Sequence, residues 1–99
     1  MNAAYFNARG GPEALVYGSA TMPGAGEGEI VVRVCAAAVT PTELLWEPTW
    51  TTRAGKPRPF PIIPGHEFSG EVHGVGSGVN DVAVDDAVFG MNDWFGDGA

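Results

Sequence analysis

The stretch from Pro61 to Val79 constrains this chain more than any other. Pro61 and Pro64 bracket Ile62 and Ile63, and two fixed φ angles so close together hold the approach extended. Gly65 follows, where a missing Cβ allows a tight bend or a close neighbour, and then the adjacent pair His66-Glu67. From Phe68 the pattern reads as a strand, with Phe68, Gly70 and Val72 on one face and Ser69, Glu71 and His73 on the other. Gly74-Val-Gly-Ser-Gly78 closes it as a turn. A His-Glu pair at the mouth of a glycine-rich strand is where chemistry is expected.

The rest of the chain supplies short strands around this one. Ala3 to Phe6 is a strand ended by the turn cluster Arg9-Gly-Gly-Pro12, and Ala14 to Tyr17 is a second. After the turn-rich Met22 to Gly28, the segment Glu29 to Val39 is a third, with Ile30, Val32 and Val34 on one face and Val31, Arg33 and Cys35 on the other. Thr40-Pro41-Thr42-Glu43 reads as a helix start, with Thr40 at the N-cap, Pro41 at N1 and Glu43 completing a capping box. Leu44, Leu45 and Trp46 form its body and Pro48 stops it; residues 47–60 then make a long irregular loop of the kind that serves as a substrate-side flap. Past the central stretch, Val82 to Val84 and Ala87 to Gly90 are two more strands around an Asp85-Asp86 turn. The tail, Met91 to Ala99, carries no structural stop, so the chain is expected to be a fragment. Fifteen glycines and eight prolines favour many short strands over long helices. The expected fold is mainly β, a partly open β-barrel with one short helix after the strand ending near Val39.

Charge narrows the partners. A net charge of -7, with only five basic residues, argues against nucleic acid and against an anionic membrane surface. One cysteine excludes an internal disulfide and fits a reducing compartment. The apolar run Ile30 to Val39 is interrupted by Arg33 and too short to span a bilayer, and the first residues lack a secretory signal. The chain reads as a soluble, acidic, cytoplasmic domain.

Gly65-His66-Glu67 with Gly70, Gly76 and Val79 at their spacings resembles the signature of the medium-chain dehydrogenase/reductase superfamily. Met1 to Phe6, Gly10 to Leu15, Gly28 to Val34 and Asp81 to Gly90 are similar to that family's N-terminal strands. The resemblance covers essentially the whole chain and implies residues 1–99 as a GroES-like domain, with the Rossmann cofactor domain of a longer protein absent from it. It implies an NAD(P)H-dependent oxidoreductase acting on a quinone, enone, carbonyl or alcohol, and is compatible with a homo-oligomer of the full-length protein. The 99 residues alone are expected to be inactive. The alternatives are a zinc-dependent alcohol dehydrogenase domain and a non-catalytic GroES-like binding or assembly module.

The same resemblance assigns roles to residues. His66 stands where zinc-dependent members place a metal ligand, and Glu67 where an outer ligand or supporting carboxylate lies; both are metal candidates only if zinc is present. Thr40 takes the position of the zinc-binding cysteine, and a neutral hydroxyl is a poor zinc donor beside a thiolate. Thr40 also matches the Asn that zinc-free quinone reductases place at the cofactor–substrate cleft. Thr42 fits the hydroxyl that relays a proton to the substrate oxygen, and Glu43 the acid that orients the histidine. Each has a plainer reading: His66 as a histidine hydrogen-bonded at a strand entrance, Glu67 as a structural carboxylate, and Thr40 with Glu43 as the capping box. Cys35 reads as a small, semi-buried strand residue, and His73 as surface. His66 to Gly70 is not a zincin motif, since Gly70 replaces the second histidine, and Gly74 to Gly78 lacks the third glycine and following helix of a dinucleotide loop. Trp46, Trp50, Phe60, Trp94 and Phe95 either line an apolar pocket or pack in a core or domain interface.

Overall fold

The computed structural model describes residues 1–96. β1 (Asn2–Phe6) and β2 (Leu15–Ser19) form an antiparallel pair, from Asn2 opposite Ser19 to Phe6 opposite Leu15. The connection turns through Gly10-Gly11 and a 3-10 turn over Pro12–Ala14, where proline is tolerated because its missing N–H has no partner to lose. β3 (Ile30–Ala37), β4 (Glu67–Val75) and β5 (Ala87–Met91) build a second antiparallel sheet with β4 in the middle. The protein is mainly β, as the glycine and proline content implies, and the two sheets do not close on each other.

Phe6 and Ile62 exchange both backbone hydrogen bonds, 2.8 and 2.9 Å, so the Pro61 to Pro64 approach is stitched to the end of β1. Their side chains meet Trp50, whose ring stands edge-on to Phe6 at 5.4 Å, and these three form the core cluster with Ala14 and Leu44 against it. Trp50 satisfies its indole N–H by donating to the Leu44 carbonyl at 2.8 Å, so burying it leaves no orphan donor.

Gly70 has a physical necessity. A Cβ there would run into the Arg33 carbonyl, so β3 and β4 can approach at this register only over a glycine. The β3–β4 register slips between Val31 and Val32 and again between Val34 and Ala36. These bulges break the strict alternation expected of Glu29 to Val39. Cys35 falls at the second slip, opposite no residue of β4, and is exposed where the alternation places it half-buried.

Four further expectations are corrected. No capping box forms at Thr40: the helical turn there is a 3-10 turn over Glu43–Leu45, its N-cap is Thr42, and no side chain caps it. The short α-helix, α1, lies one step later at Glu47–Trp50, with Pro48 inside its first turn. Pro48 therefore starts a helix where the sequence pattern has it stopping one, in keeping with proline's fit to a first turn. Val82 to Val84 is not a strand. Asp86 takes the Ala83 N–H on its side chain at 2.9 Å and donates its own N–H to the Ala83 carbonyl, which curls the chain before Val72 pairs with Asp85 and Asp86. The loop 47–60 is also more ordered than expected, holding α1 and a bridge between Thr51 and Pro57. No helix among the described residues is long and apolar enough to cross a membrane.

Candidate functional site

Gly65 sits at φ 95°, a left-handed conformation in which a side chain would be strained. The bend turns its N–H toward Glu43, whose Oε2 accepts it at 2.7 Å across 22 residues of sequence. Glu43 is itself buried, at 5% exposure, and its backbone carbonyl accepts the Thr49 hydroxyl at 2.6 Å. The carboxyl that local pattern assigns to a helix cap is thus spent on the strand entrance instead. The same Oε2 lies 3.7 Å from His66 Nε2, beyond a good hydrogen bond but close enough for the two groups to feel each other. The acid and the histidine that the family resemblance pairs are neighbours in space.

His66 is buried to 6% exposure, and its Nδ1 meets no hydrogen-bond partner among the described residues. Two indoles cover it. Trp46 lies nearly parallel to the imidazole with centroids 6.4 Å apart, and Trp94 is tilted over it at 4.8 Å. The indoles touch edge-on at 5.2 Å. Trp94 comes from the segment after β5, where Asn92 donates its N–H to the His66 carbonyl at 2.7 Å. Asp93 accepts the Phe95 N–H at 3.0 Å and is gripped by Arg53, so its carboxyl is held below the usual carboxylate range, the Phe95 N–H being the larger cause and Arg53 the next.

Thr40 lies on the wall of a cavity of about 340 Å³ beside Glu43 and Gly65; the rest of that wall is apolar, including Phe6, Leu15 and Leu44. Neither Thr42 nor His66 lines that cavity. Thr42 is exposed at the start of the 3-10 turn, and its hydroxyl caps no backbone N–H. Glu67 is exposed as the first residue of β4, while its backbone carbonyl accepts the Ala38 N–H at 3.0 Å. The structure therefore brings together Glu43, Gly65 and His66, puts Thr40 on the adjoining cavity, and leaves Thr42 and Glu67 toward solvent. Of the five aromatics read as pocket or core, Trp50 is core, and Trp46 and Trp94 enclose the histidine.

A three-ligand zinc site needs donors that converge. Among the described residues no group of three His, Cys, Asp or Glu side chains converges anywhere. At His66 the available donors are one imidazole and one carboxyl already engaged by Gly65. The described side chains do not fit that ion on their own.

The sequence pattern of the alcohol dehydrogenase GroES-like domain matches residues 26–98. The chain belongs to that family. It is the N-terminal domain type of the medium-chain dehydrogenase/reductase superfamily, as the Gly65-His66-Glu67 signature implies. This GroES-like chain is 40% identical over 68 residues to an L-threonine 3-dehydrogenase from Saccharopolyspora erythraea, an alignment covering 69% of the chain and 20% of the relative. A crystallised NAD-dependent alcohol dehydrogenase superposes with a TM-score of 0.75 at 34% identity, over 90% of this chain and 25% of that one. The quinone oxidoreductase from Coxiella burnetii superposes at 0.77 with 27% identity, over 92% and 29%. The GroES-like chain spans about a fifth of the length of the curated relatives it matches.

Proposed function

We propose that this chain is the substrate-side domain of an NAD(P)H-dependent cytoplasmic oxidoreductase that reduces an activated double bond or carbonyl of a small molecule without a catalytic zinc. The observation that carries the reading is the Glu43 carboxyl, which ties the Thr40 to Glu43 turn to the Gly65-His66 entrance beside an apolar cavity. The chemistry a bound nicotinamide supplies is hydride transfer, and the cofactor is held mainly by a second domain. This chain contributes an apolar wall that keeps water from the reacting atoms, with Thr40 as the hydrogen-bonding group at the cofactor–substrate cleft. Thr42 lies outside that cavity, exposed between its lining residues Pro41 and Glu43, and from there its hydroxyl donates to a substrate oxygen at the cavity mouth and stabilises the charge that develops there. Glu43 positions His66. The donor set favours this over the zinc reading, because a hydroxyl stands in the place of the thiolate.

Thr42→Val in the full-length protein is expected to lower kcat by about 10²-fold, the order lost when one donor to a developing oxyanion is removed, with KM little changed. An unchanged kcat would remove Thr42 from the reaction. Metal analysis of the same protein tests the other half: stoichiometric zinc, lost together with activity on chelation, would overturn the metal-free reading.

A further inference from the structure

The cavity beside Glu43 has a wall of two kinds. Phe6 and Leu15, cross-strand partners in β1 and β2, form its apolar side together with Leu44, and Ala37 and Ala38 add only a methyl group each. Its polar side chains, Thr40 and Glu43, both belong to the turn before α1. Neither a basic residue nor a histidine is among the described residues of the wall. Two arginines of other segments are engaged elsewhere: Arg9 lies 3.5 Å from Glu47 and over the Trp50 ring, and Arg58 donates to the Thr49 carbonyl at 3.1 Å. The ionisable group on the wall is therefore an acid, Glu43, whose Oε2 already accepts the Gly65 N–H.

We propose that this cavity holds the aliphatic tail of an uncharged substrate of about eight carbons, its oxygen toward the Thr40 to Glu43 turn, and turns away carboxylates and amino acids. Volume sets the length. The 340 Å³ equals roughly eleven waters' share of the liquid, room for about ten non-hydrogen atoms. Charge sets the class. A carboxylate entering here would leave water for apolar side chains, with no cation to meet it and an acid on the wall to repel it. The net charge of -7 works in the same direction. An ammonium group could meet Glu43, but an amino acid brings its carboxylate with it. Among uncharged ligands the aliphatic wall selects by area, each methylene adding a similar increment until the space is full. This inference rests on the proposed reading of the cavity as part of the substrate cleft and adds to it the class of substrate.

The test separates binding from reaction. Straight-chain alcohols from butanol to dodecanol, octanoate and 2-aminooctanoate are titrated into the full-length protein with no cofactor added, followed by ligand-detected NMR. Alcohol affinity should rise about three- to fourfold per methylene and level off near about eight carbons. Octanoate and 2-aminooctanoate should bind at least about tenfold more weakly than octanol. Ala38→Leu, at an exposed position, fills part of the space and should bring the plateau forward by about two carbons. An affinity flat with chain length, octanoate binding as well as octanol, or a plateau that Ala38→Leu leaves in place would each overturn the inference. Turnover is read apart from this: with reduced nicotinamide present, kcat/KM for 2-alkenals should climb with chain length in the same way. The full series of alcohol affinities without reduction of any alkenal, quinone or ketone would sink the proposed reaction while upholding the preference of the cavity.

Discussion

At the scale of single residues, Glu43 joins two segments that sequence alone keeps apart. Its carboxyl accepts a buried backbone N–H from Gly65 and faces the imidazole of His66. Truncation to alanine leaves the Gly65 N–H without an acceptor and empties the space between turn and strand entrance. A buried hydrogen bond to an ionisable group is worth roughly 1.5–3 kcal/mol, so Glu43→Ala should destabilise by about 2–3 kcal/mol in urea unfolding. Glu43→Gln keeps an acceptor oxygen of nearly the same size and should lose about half as much. Equal losses in the two variants would mean that volume, and not the hydrogen bond, is what Glu43 supplies. Gly65 is the other half of this contact. At φ 95° it should not accept alanine without a strain of about 1–2 kcal/mol, felt even though alanine adds only one carbon.

Among elements, the β3–β4 ladder sets the position of everything else, because β4 starts at the His66-Glu67 pair and β5 is registered on β4. Gly70→Ala would press a methyl group into the Arg33 carbonyl, backbone against side chain, with nothing flexible to yield. A loss of about 3 kcal/mol is expected, with amide exchange accelerating in β3 and β4 before β1 and β2; uniform acceleration would contradict the placement of that contact. Strands of this kind were legible from sequence because alternation and glycine punctuation are local signals, and β1, β2, β4 and β5 fall within a residue or two of where those signals put them. The helical turn was not. Thr40 and Glu43 have the spacing of a capping box, but Glu43 finds a partner 22 residues away, and no window of neighbouring residues encodes that competition. Cys35 escaped for a related reason: a bulge is set by the partner strand, here by the slip against Gly70 and Ser69. The site was legible as a His-Glu pair but not as an enclosed one, since its cover arrives from Trp46 and Trp94, on opposite sides of it in the chain.

The whole molecule has a thin interior for its length. Among the described residues, Phe6, Trp50, Ile62 and Val72 are the buried apolar side chains, and Val72 stands apart from the cluster of the other three. Large apolar side chains lie outside: Val39 on the segment after β3, Leu45 in the 3-10 turn, and Phe89, 89% exposed, in the middle of β5. Among the described residues β5 pairs only with β4, so its other edge offers backbone groups that no described strand pairs, flanked by an exposed aromatic, a combination that invites further pairing. A radius of gyration of 13.8 Å, near the roughly 13 Å typical of a compact 100-residue domain, shows that the chain is drawn together even so. Compactness with little burial has a thermodynamic signature, because the denaturant slope follows the surface newly exposed on unfolding. The isolated 99-residue chain should therefore bind a dye for exposed apolar surface and unfold in urea with a slope below about 1 kcal/mol/M. In the full-length protein the dye signal should fall, since the same faces are those a larger molecule would cover. A steep, cooperative transition in the isolated chain with no dye bound would mean that these faces are tolerated in water and that the domain needs no cover at all.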